Sequence, residues 1–125
     1  MFLQRLMAAL GVGARTSREK PLFVYIKIPG HIEPLERGHR FEDPIQVALD
    51  AGELGEITGG GSQLSDVDAE GRRRIEFCGI DVDLYEVERG LALLRRELIR
   101  LDAPRGTVLE YRLEGRDYPQ PVHED

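Results

Sequence analysis

The fold is decided by residues 75–101, which read IEFCGIDVDLYEVERGLALLRRELIRL. Apolar and polar residues alternate up to Gly79, and the alternation then continues one position out of phase. We therefore predict a β-strand with a bulge at Gly79, which would keep the apolar side chains on one face. Behind this strand, a valine and four leucines recur three or four residues apart between residues 87 and 101. This spacing predicts a long amphipathic helix over residues 86–101.

Three further strands and one further helix surround this unit. The strands are predicted from alternating apolar residues bounded by glycine and proline. They cover residues 22–28, 56–64 and 107–113. Asp43 followed by Pro44 is a favourable helix start, because Asp can cap the helix and Pro suits its first turn, and it predicts a helix over residues 44–51. Residues 30–42 contain two glycines and a proline and show no apolar period, so we predict a loop there.

The order of these elements is β-α-β-β-α-β, which is the split βαβ or ferredoxin-like pattern. It predicts an α+β fold with a four-stranded antiparallel sheet, both helices on one face of the sheet and the other face open. We assign this domain to residues 21–116 and expect a polar C-terminal tail over residues 117–125. In residues 1–20, apolar side chains recur at helical spacing between positions 2 and 10. This spacing predicts a short N-terminal amphipathic helix followed by a linker.

Length and composition bound the class of protein. The chain has 125 residues, which is room for one domain. It contains no apolar run long enough to cross a bilayer, so we expect no stable insertion into a membrane. The single cysteine, Cys78, excludes an internal disulfide and fits a cytoplasmic location. No secretion signal is predicted, because Gln4 and Arg5 interrupt the first apolar run.

Charge is unevenly distributed along the chain. The formal net charge is −6, whereas residues 1–20 carry four basic residues against one acidic residue. The acidic remainder argues against nucleic acid as a partner, because phosphates are held by clusters of Lys and Arg. It favours a basic partner, or it serves solubility alone. For the predicted N-terminal helix, docking on its own domain or on a second copy is favoured over a membrane-surface role.

Acidic residues alternate along the strand that ends at Leu84. With a bulge at Gly79, three of them would share the open face of the sheet. One interpretation is a set of cross-strand ion pairs, which contribute little when exposed. Another is a recognition surface for a protein partner, with an aromatic anchor. Catalysis fits less well, because an open sheet face supplies no cleft that shifts a pKa. The predicted partner-binding residues are Tyr25, Lys27, Glu76, Asp81, Asp83 and Arg112.

A triglycine interrupts the second predicted strand. Gly59, Gly60, Gly61 and Ser62 could form an anion- or ligand-binding loop, because glycine backbones expose N–H groups. The motif lacks the lysine of a P-loop, and no helix is predicted directly after it, so the nucleotide-binding motifs are excluded. A bulged or bent edge strand is the structural alternative, and this composition favours it.

No metal, cofactor or catalytic site is predicted. Residues 66–71 imitate the start of an EF-hand loop, but the last ligand position, which needs a bidentate Glu, is Phe77. His31 and His39 share residues 30–42 with three glutamates, yet their spacing is not diagnostic and two neighbouring arginines would repel a cation.

Three segments resemble a family of small bacterial proteins of unknown function. They are residues 55–62 (GEITGGGS), 80–83 (IDVD) and 103–107 (APRGT). The chain is also similar to immunity proteins that pair with polymorphic toxins. This resemblance implies a protein partner and no catalytic residue.

The function predicted from these features is a small non-enzymatic binding protein whose open sheet face contacts a basic partner. An immunity-type inhibitor of a basic toxin is one concrete form of it. The alternative is a small enzyme or ligand-binding domain, in which residues 30–42 fold over the triglycine. Self-association as a homo-oligomer, through the open face or residues 2–10, is a third interpretation.

Overall fold

The computed structural model describes residues 20–123, and the predicted N-terminal amphipathic helix lies outside them. The strands are β1 (Leu22–Pro29), β2 (Gly55–Leu64), β3 (Ile75–Leu84), β4 (Val108–Leu113) and β5 (Arg116–Pro121). The helical segments are α1 (Pro34–Arg37), a π-helical segment (Gly38–Glu42), α2 (Asp43–Gly52) and α3 (Val87–Arg100).

All five strands form one sheet in the order β2-β3-β1-β4-β5, and each strand is antiparallel to its neighbours. The predicted α+β class is confirmed. The predicted four-stranded ferredoxin-like sheet is wrong in strand number, because β5 extends the sheet beyond β4. β1 lies between β3 and β4, so its side chains occupy the centre of the sheet.

β5 lies mainly in residues 117–125, which the sequence predicts as a polar tail. It follows β4 through a two-residue turn formed by Glu114 and Gly115, whose φ angles are both positive, 52° and 75°. Such a turn matches the natural twist of a β-hairpin. Pro119 and Pro121 conceal the strand in the sequence, because proline is tolerated in strands only at an edge or a bulge. β5 is such an edge.

The chain is helical from Pro34 to Gly52, so the predicted loop over residues 30–42 is wrong for most of its length. α1, the π-helical segment and α2 follow one another without a break. The residues at the two junctions, Gly38 and Asp43, both have helical backbone angles. The segments that the sequence predicts as a loop and a helix therefore form one helical unit from Pro34 to Gly52.

Buried side chains explain this helical unit. Phe41, Ile45 and Leu49 are fully buried and lie four residues apart, so the apolar stripe of α2 continues back into the predicted loop. Pro44 conceals the continuity, because in a regular α-helix its ring would clash with the carbonyl of Arg40. The π-helical turn before Pro44 widens the backbone at that point and accommodates the ring.

One hydrophobic core lies between the sheet and the helices. α2 and α3 contact each other, and their buried side chains join those of the sheet in a single cluster. Residues of β1 and β3 that face this cluster alternate along each strand, and they are Leu22, Val24, Ile26, Ile28, Cys78, Ile80, Val82 and Leu84. Both helices therefore cover the same face of the sheet. No helix of residues 20–123 is both long enough and apolar enough to span a membrane.

The predicted bulge at Gly79 is wrong. β1 and β3 pair without interruption, and Gly79 lies opposite Lys27 in a regular register. The irregularities lie instead in the pairing of β2 with β3, where Thr58 and Glu76 have no opposite residue. As a result, the side chains of β3 alternate regularly between the two faces of the sheet from Phe77 onwards. Phe77 lies on the face that the helices leave uncovered, and Cys78 lies in the core.

Candidate binding face

The side of the sheet opposite α2 and α3 forms a surface that we call the open face. Strand pairing determines which side chains it carries, because side chains in each strand alternate between the two faces. From β2 to β5 they are Glu56, Gly59, Gly61, Gln63, Phe77, Gly79, Asp81, Asp83, Phe23, Tyr25, Lys27, Pro29, Val108, Glu110, Arg112, Asp117, Pro119 and Pro121. The open face thus combines aromatic, acidic and glycine positions.

Tyr25 occupies the centre of the open face. It lies opposite Asp81 on β3 and opposite Glu110 on β4. Burial raises the pKa of the Tyr25 hydroxyl, and the two neighbouring carboxylates raise it further. The hydroxyl therefore stays protonated at neutral pH and can donate a hydrogen bond.

Two hollows flank Tyr25 on the open face. The first, which we call the glycine hollow, has a volume of about 310 Å³ and is lined by Tyr25, Gly60, Gly61, Ser62, Gln63, Phe77 and Asp81. The second, the aromatic hollow, has a volume of about 400 Å³ and is lined by Phe23, Tyr25, Glu110, Tyr111, Asp117, Tyr118 and Pro119. Tyr25 belongs to both linings, so its side chain is the ridge between them.

The open face is strongly acidic. Its two cations are already engaged: Arg112 Nη1 lies 3.1 Å from Asp117 Oδ1, and Lys27 Nζ lies 4.3 Å from the centre of the Phe77 ring. Four carboxylates on this face form no ion pair with another residue of 20–123, and they are Glu56, Asp81, Asp83 and Glu110. The predicted network of cross-strand ion pairs is thus reduced to one pair at the β4–β5 edge.

Five of the six predicted partner-binding residues lie together on the open face. They are Tyr25, Lys27, Asp81, Asp83 and Arg112. Glu76 does not join them, because β3 has no bulge at Gly79 and its unbroken alternation leaves Glu76 out of phase with the two aspartates. Glu56 is missed by the sequence interpretation, because its pairing with Asp83 depends on the Thr58 bulge, which the sequence does not reveal.

The predicted anion-binding loop is a strand. Gly59, Gly60, Gly61 and Ser62 belong to β2 and lie opposite consecutive residues of β3. None of the three glycines has a positive φ, which the concave backbone of an anion-binding nest would require. Their contribution to the candidate site is a side-chain-free strip at the edge of the sheet.

An ion pair on the helix side of β2 was missed. Arg37 Nε donates to Glu42 Oε2 at 2.6 Å, and Arg37 Nη1 lies 3.4 Å from Ser62 Oγ. A Cβ added at Gly60 would lie 2.9 Å from Gly79 O and 3.0 Å from Glu42 Oε2, so a side chain there would crowd both the β3 backbone and the pair. The sequence signal for this pair is the five-residue spacing of Arg37 and Glu42. This spacing brings two side chains together in a π-helical turn, so it predicts the pair only when that turn is known.

His31 contacts the start of β3, whereas His39 lies at the surface. His31 Nδ1 accepts the backbone N–H of Ile75 at 2.9 Å, and His31 Nε2 lies 2.8 Å from Glu33 Oε1. The His39 side chain is 81% exposed and lies 3.6 Å from Asp43. Within residues 20–123, no group of three or more potential ligands is arranged to hold a metal ion.

Cys78 lies in the hydrophobic core. Burial raises the pKa of its thiol, and the lowering effect of Arg37 is the smaller influence. A thiol held protonated and away from solvent is a poor nucleophile.

No protein-family model, curated protein or solved structure matches this chain.

Proposed function

We propose that this protein is a non-enzymatic binding protein that contacts a basic partner protein through its open face. The observation that carries the proposal is the set of four carboxylates around Tyr25 that have no ion pair with another residue of 20–123. A surface of one charge attracts a partner of the opposite charge, speeds the encounter and discriminates against acidic competitors.

Aromatic side chains give the open face the means to retain such a partner. Phe23 is 51% exposed although it is a large apolar residue, and Tyr25 is half-buried between the two hollows. Buried aromatic anchors surrounded by polar contacts carry most of the energy of typical interfaces. Tyr25 would be the anchor, and the carboxylates around it would orient the partner.

The exposure of the carboxylates supports binding over catalysis. A general acid or base needs a cleft that shifts its pKa towards neutrality, whereas Glu56 and Glu110 are exposed to solvent and the two aspartates are partly exposed. In finer terms, we propose a cytoplasmic, ferredoxin-like domain extended by β5. An immunity-type inhibitor that covers the basic surface of a toxin is the concrete form that we favour.

The test compares three versions of the full chain as baits in a lysate of the native host. They are the natural chain, the double variant Asp81→Lys/Asp83→Lys, and a control, Asp66→Lys/Glu70→Lys. The control makes the same change in net charge on the exposed loop between β2 and β3. We expect a protein that is captured by the natural chain and the control but not by the open-face variant. Identical capture by all three chains would end the proposal.

The alternative, a ligand-binding domain built from residues 30–42 and the triglycine, has one observation in its favour. Arg37 does reach Ser62 on β2. However, the Arg37 guanidinium is paired with Glu42 at 2.6 Å, so its charge is not available to a bound anion. Inorganic phosphate should therefore leave the melting temperature of the chain unchanged beyond the effect of an equal ionic strength of chloride.

A further inference from the structure

Gly61 is a glycine that the fold itself does not require. A Cβ added at Gly61 would meet no atom within 4 Å, and its φ is not in the left-handed region. By contrast, a Cβ at Gly60 would crowd the Gly79 carbonyl, and one at Gly79 would overlap Tyr25. Glycine weakens a strand, and a strand glycine often marks a bulge, a bend or a close approach by a ligand or another backbone. Gly61 pairs with Gly79 in a regular register, so it marks no bulge.

The space above Gly61 is the floor of the glycine hollow. Gly61 lies opposite Gly79, and the Tyr25 ring covers Gly79, so the floor is the strand backbone at Gly61 beside that ring. Tyr25, Phe77, Gln63 and Asp81 surround this floor. The result is a depression of about 310 Å³ with polar and aromatic walls.

The walls of the glycine hollow favour a cation. A Cβ at Gly59 would lie 3.2 Å from Asp81 Oδ2, which places this carboxylate over the glycine strip. Asp81 has no ion pair with another residue of 20–123. The Phe77 ring already carries Lys27 at 4.3 Å, so Tyr25 is the aromatic wall left for a ligand. A planar guanidinium suits a carboxylate beside an aromatic ring better than the compact ammonium of lysine does.

We propose that the glycine hollow is the seat of an arginine side chain of the partner, whose guanidinium pairs with Asp81 and lies against Tyr25. This inference rests on the proposed binding function of the open face and specifies its central contact. Arginine is among the residues that dominate interfaces when buried in a pocket. The hollow would make one arginine of the partner indispensable while its other basic residues act through long-range attraction.

The test titrates the full, isotope-labelled chain with three small probes and follows its amide signals by NMR. The probes are the N-acetyl methylamides of arginine, lysine and citrulline, the last being a neutral analogue of arginine. We expect saturable shifts at Gly61, Gly79 and Asp81 with the arginine probe, with a Kd on the order of millimolar. The lysine probe should bind about tenfold more weakly, and citrulline should cause no saturable shift.

Two variants locate the site. Gly61→Val fills the hollow without changing its charge. Because no atom crowds that position, this variant should have an equal or higher melting temperature than the natural chain. Asp81→Asn removes the charge and keeps the shape of the hollow. Each should abolish the arginine-specific shifts. Gly61→Ala, which fills less of the hollow, serves if the valine variant does not fold. No saturable shift with arginine, equal shifts with citrulline, or full binding by Gly61→Val would each overturn the proposal.

The lysate capture described above distinguishes this inference from the function on which it rests. If the captured partner is lost with Asp81→Lys/Asp83→Lys but retained by Gly61→Val, the acidic open face binds the partner and the arginine seat is wrong. If Asp81→Lys/Asp83→Lys captures the same proteins as the natural chain, the proposed binding function itself is wrong.

Discussion

The ring of Tyr25 lies across the backbone of Gly79, and a Cβ added at Gly79 would overlap both the ring and the hydroxyl of Tyr25. The two residues are diagonal neighbours on adjacent strands, since Tyr25 lies opposite Asp81 and Gly79 opposite Lys27. An aromatic ring that covers a strand glycine supplies the packing that the glycine lacks. This contact explains Gly79 without any bulge, and it fixes the ridge that separates the two hollows.

Gly79→Ala should destabilise the protein by about 1–3 kcal/mol, which is the usual cost of overpacking a filled site. Urea unfolding of the variant measures this change. In a Tyr25→Ala background the same substitution should cost much less, because the ring that it displaces is gone. Gly61→Ala is the matched control and should not destabilise the protein, since its Cβ meets no atom within 4 Å. Equal costs of Gly79→Ala in both backgrounds would contradict the contact.

Asp81→Asn should lower the pKa of Tyr25. Burial is the main cause that raises this pKa above its ordinary value of 10.0, followed by the charges of Asp81 and Glu110. Removing one carboxylate therefore moves the pKa towards 10.0 without reaching it. Ring resonances followed by NMR across alkaline pH measure the change. Tyr111 is an internal control, because burial and Tyr118 raise its pKa and it should not respond to Asp81→Asn.

The raised pKa of Tyr25 also predicts a loss of stability in alkali. The folded state holds the phenolic proton more tightly than the unfolded state, so the contribution is complete below pH 10.0 and disappears as the pH rises through the folded pKa. Unfolding free energies measured in urea across this range should fall less steeply for Tyr25→Phe than for the natural chain. Identical slopes for both chains would exclude a contribution from Tyr25.

Breaking the Arg37–Glu42 ion pair should lower the free energy of unfolding by about 1–3 kcal/mol. This loss is smaller than for a fully buried pair, because the Arg37 side chain is 13% exposed and the Glu42 side chain 25% exposed. Arg37→Met leaves the Glu42 carboxylate partly buried without its partner. The double variant Arg37→Met/Glu42→Leu should recover much of the loss, since no uncompensated charge remains. Chemical unfolding of the single and double variants gives the coupling, and additive losses would argue against a working pair.

His31→Ala should destabilise the start of β3 by about 1 kcal/mol, the typical net value of one hydrogen bond. The substitution removes the acceptor of the Ile75 N–H, and hydrogen exchange at that amide should become faster. His39→Ala is the control, because the His39 side chain is exposed and contributes only a weak surface contact. Equal effects of the two alanine variants would show that the His31–Ile75 contact contributes nothing.

Val122→Ala should destabilise the whole domain by about 1–3 kcal/mol, although the sequence reads as a polar tail at this point. Val122 is fully buried in the core, and its N–H donates to Thr107 O at 3.0 Å. Thermal unfolding measures the effect. Gln120→Ala is the comparison within β5. It removes only the acceptor of the hydrogen bond from the Tyr111 hydroxyl, so it should lower the melting temperature less than Val122→Ala does. An unchanged melting temperature for Val122→Ala would mean that residues after Leu113 do not belong to the folded unit.

Patterns of apolar residues predicted the elements that are amphipathic over their full length. β1 and α3 were predicted within one or two residues of their observed ends, because each buries one regular stripe. The helical unit from Pro34 to Gly52 was only half predicted. Its upstream part passes through a π-helical turn that buries Phe41, and no local pattern in the sequence shows such a turn.

The open face was predicted in part for a similar reason. The alternation of Asp81 and Asp83 is visible in the sequence, and both lie on the open face. Glu76 was placed with them because Cys78 was counted as polar and Phe77 as a core residue. The structure reverses both assignments: Cys78 joins the core, and Phe77 is covered from outside by Lys27. A cation that shields an aromatic ring is a tertiary contact and leaves no trace in strand periodicity.

The prolines of β5 set a limit on how the sheet can grow. Because the Val122 N–H points towards β4, alternate residues of the strand direct their N–H groups away from it, and Pro119 and Pro121 occupy two of those outward positions. Another chain that approached this border would find acceptors but almost no donors. The two prolines therefore prevent other chains from adding strands at the β5 edge and forming fibres there. This protection persists at high salt, whereas salt would screen the repulsion between acidic surfaces.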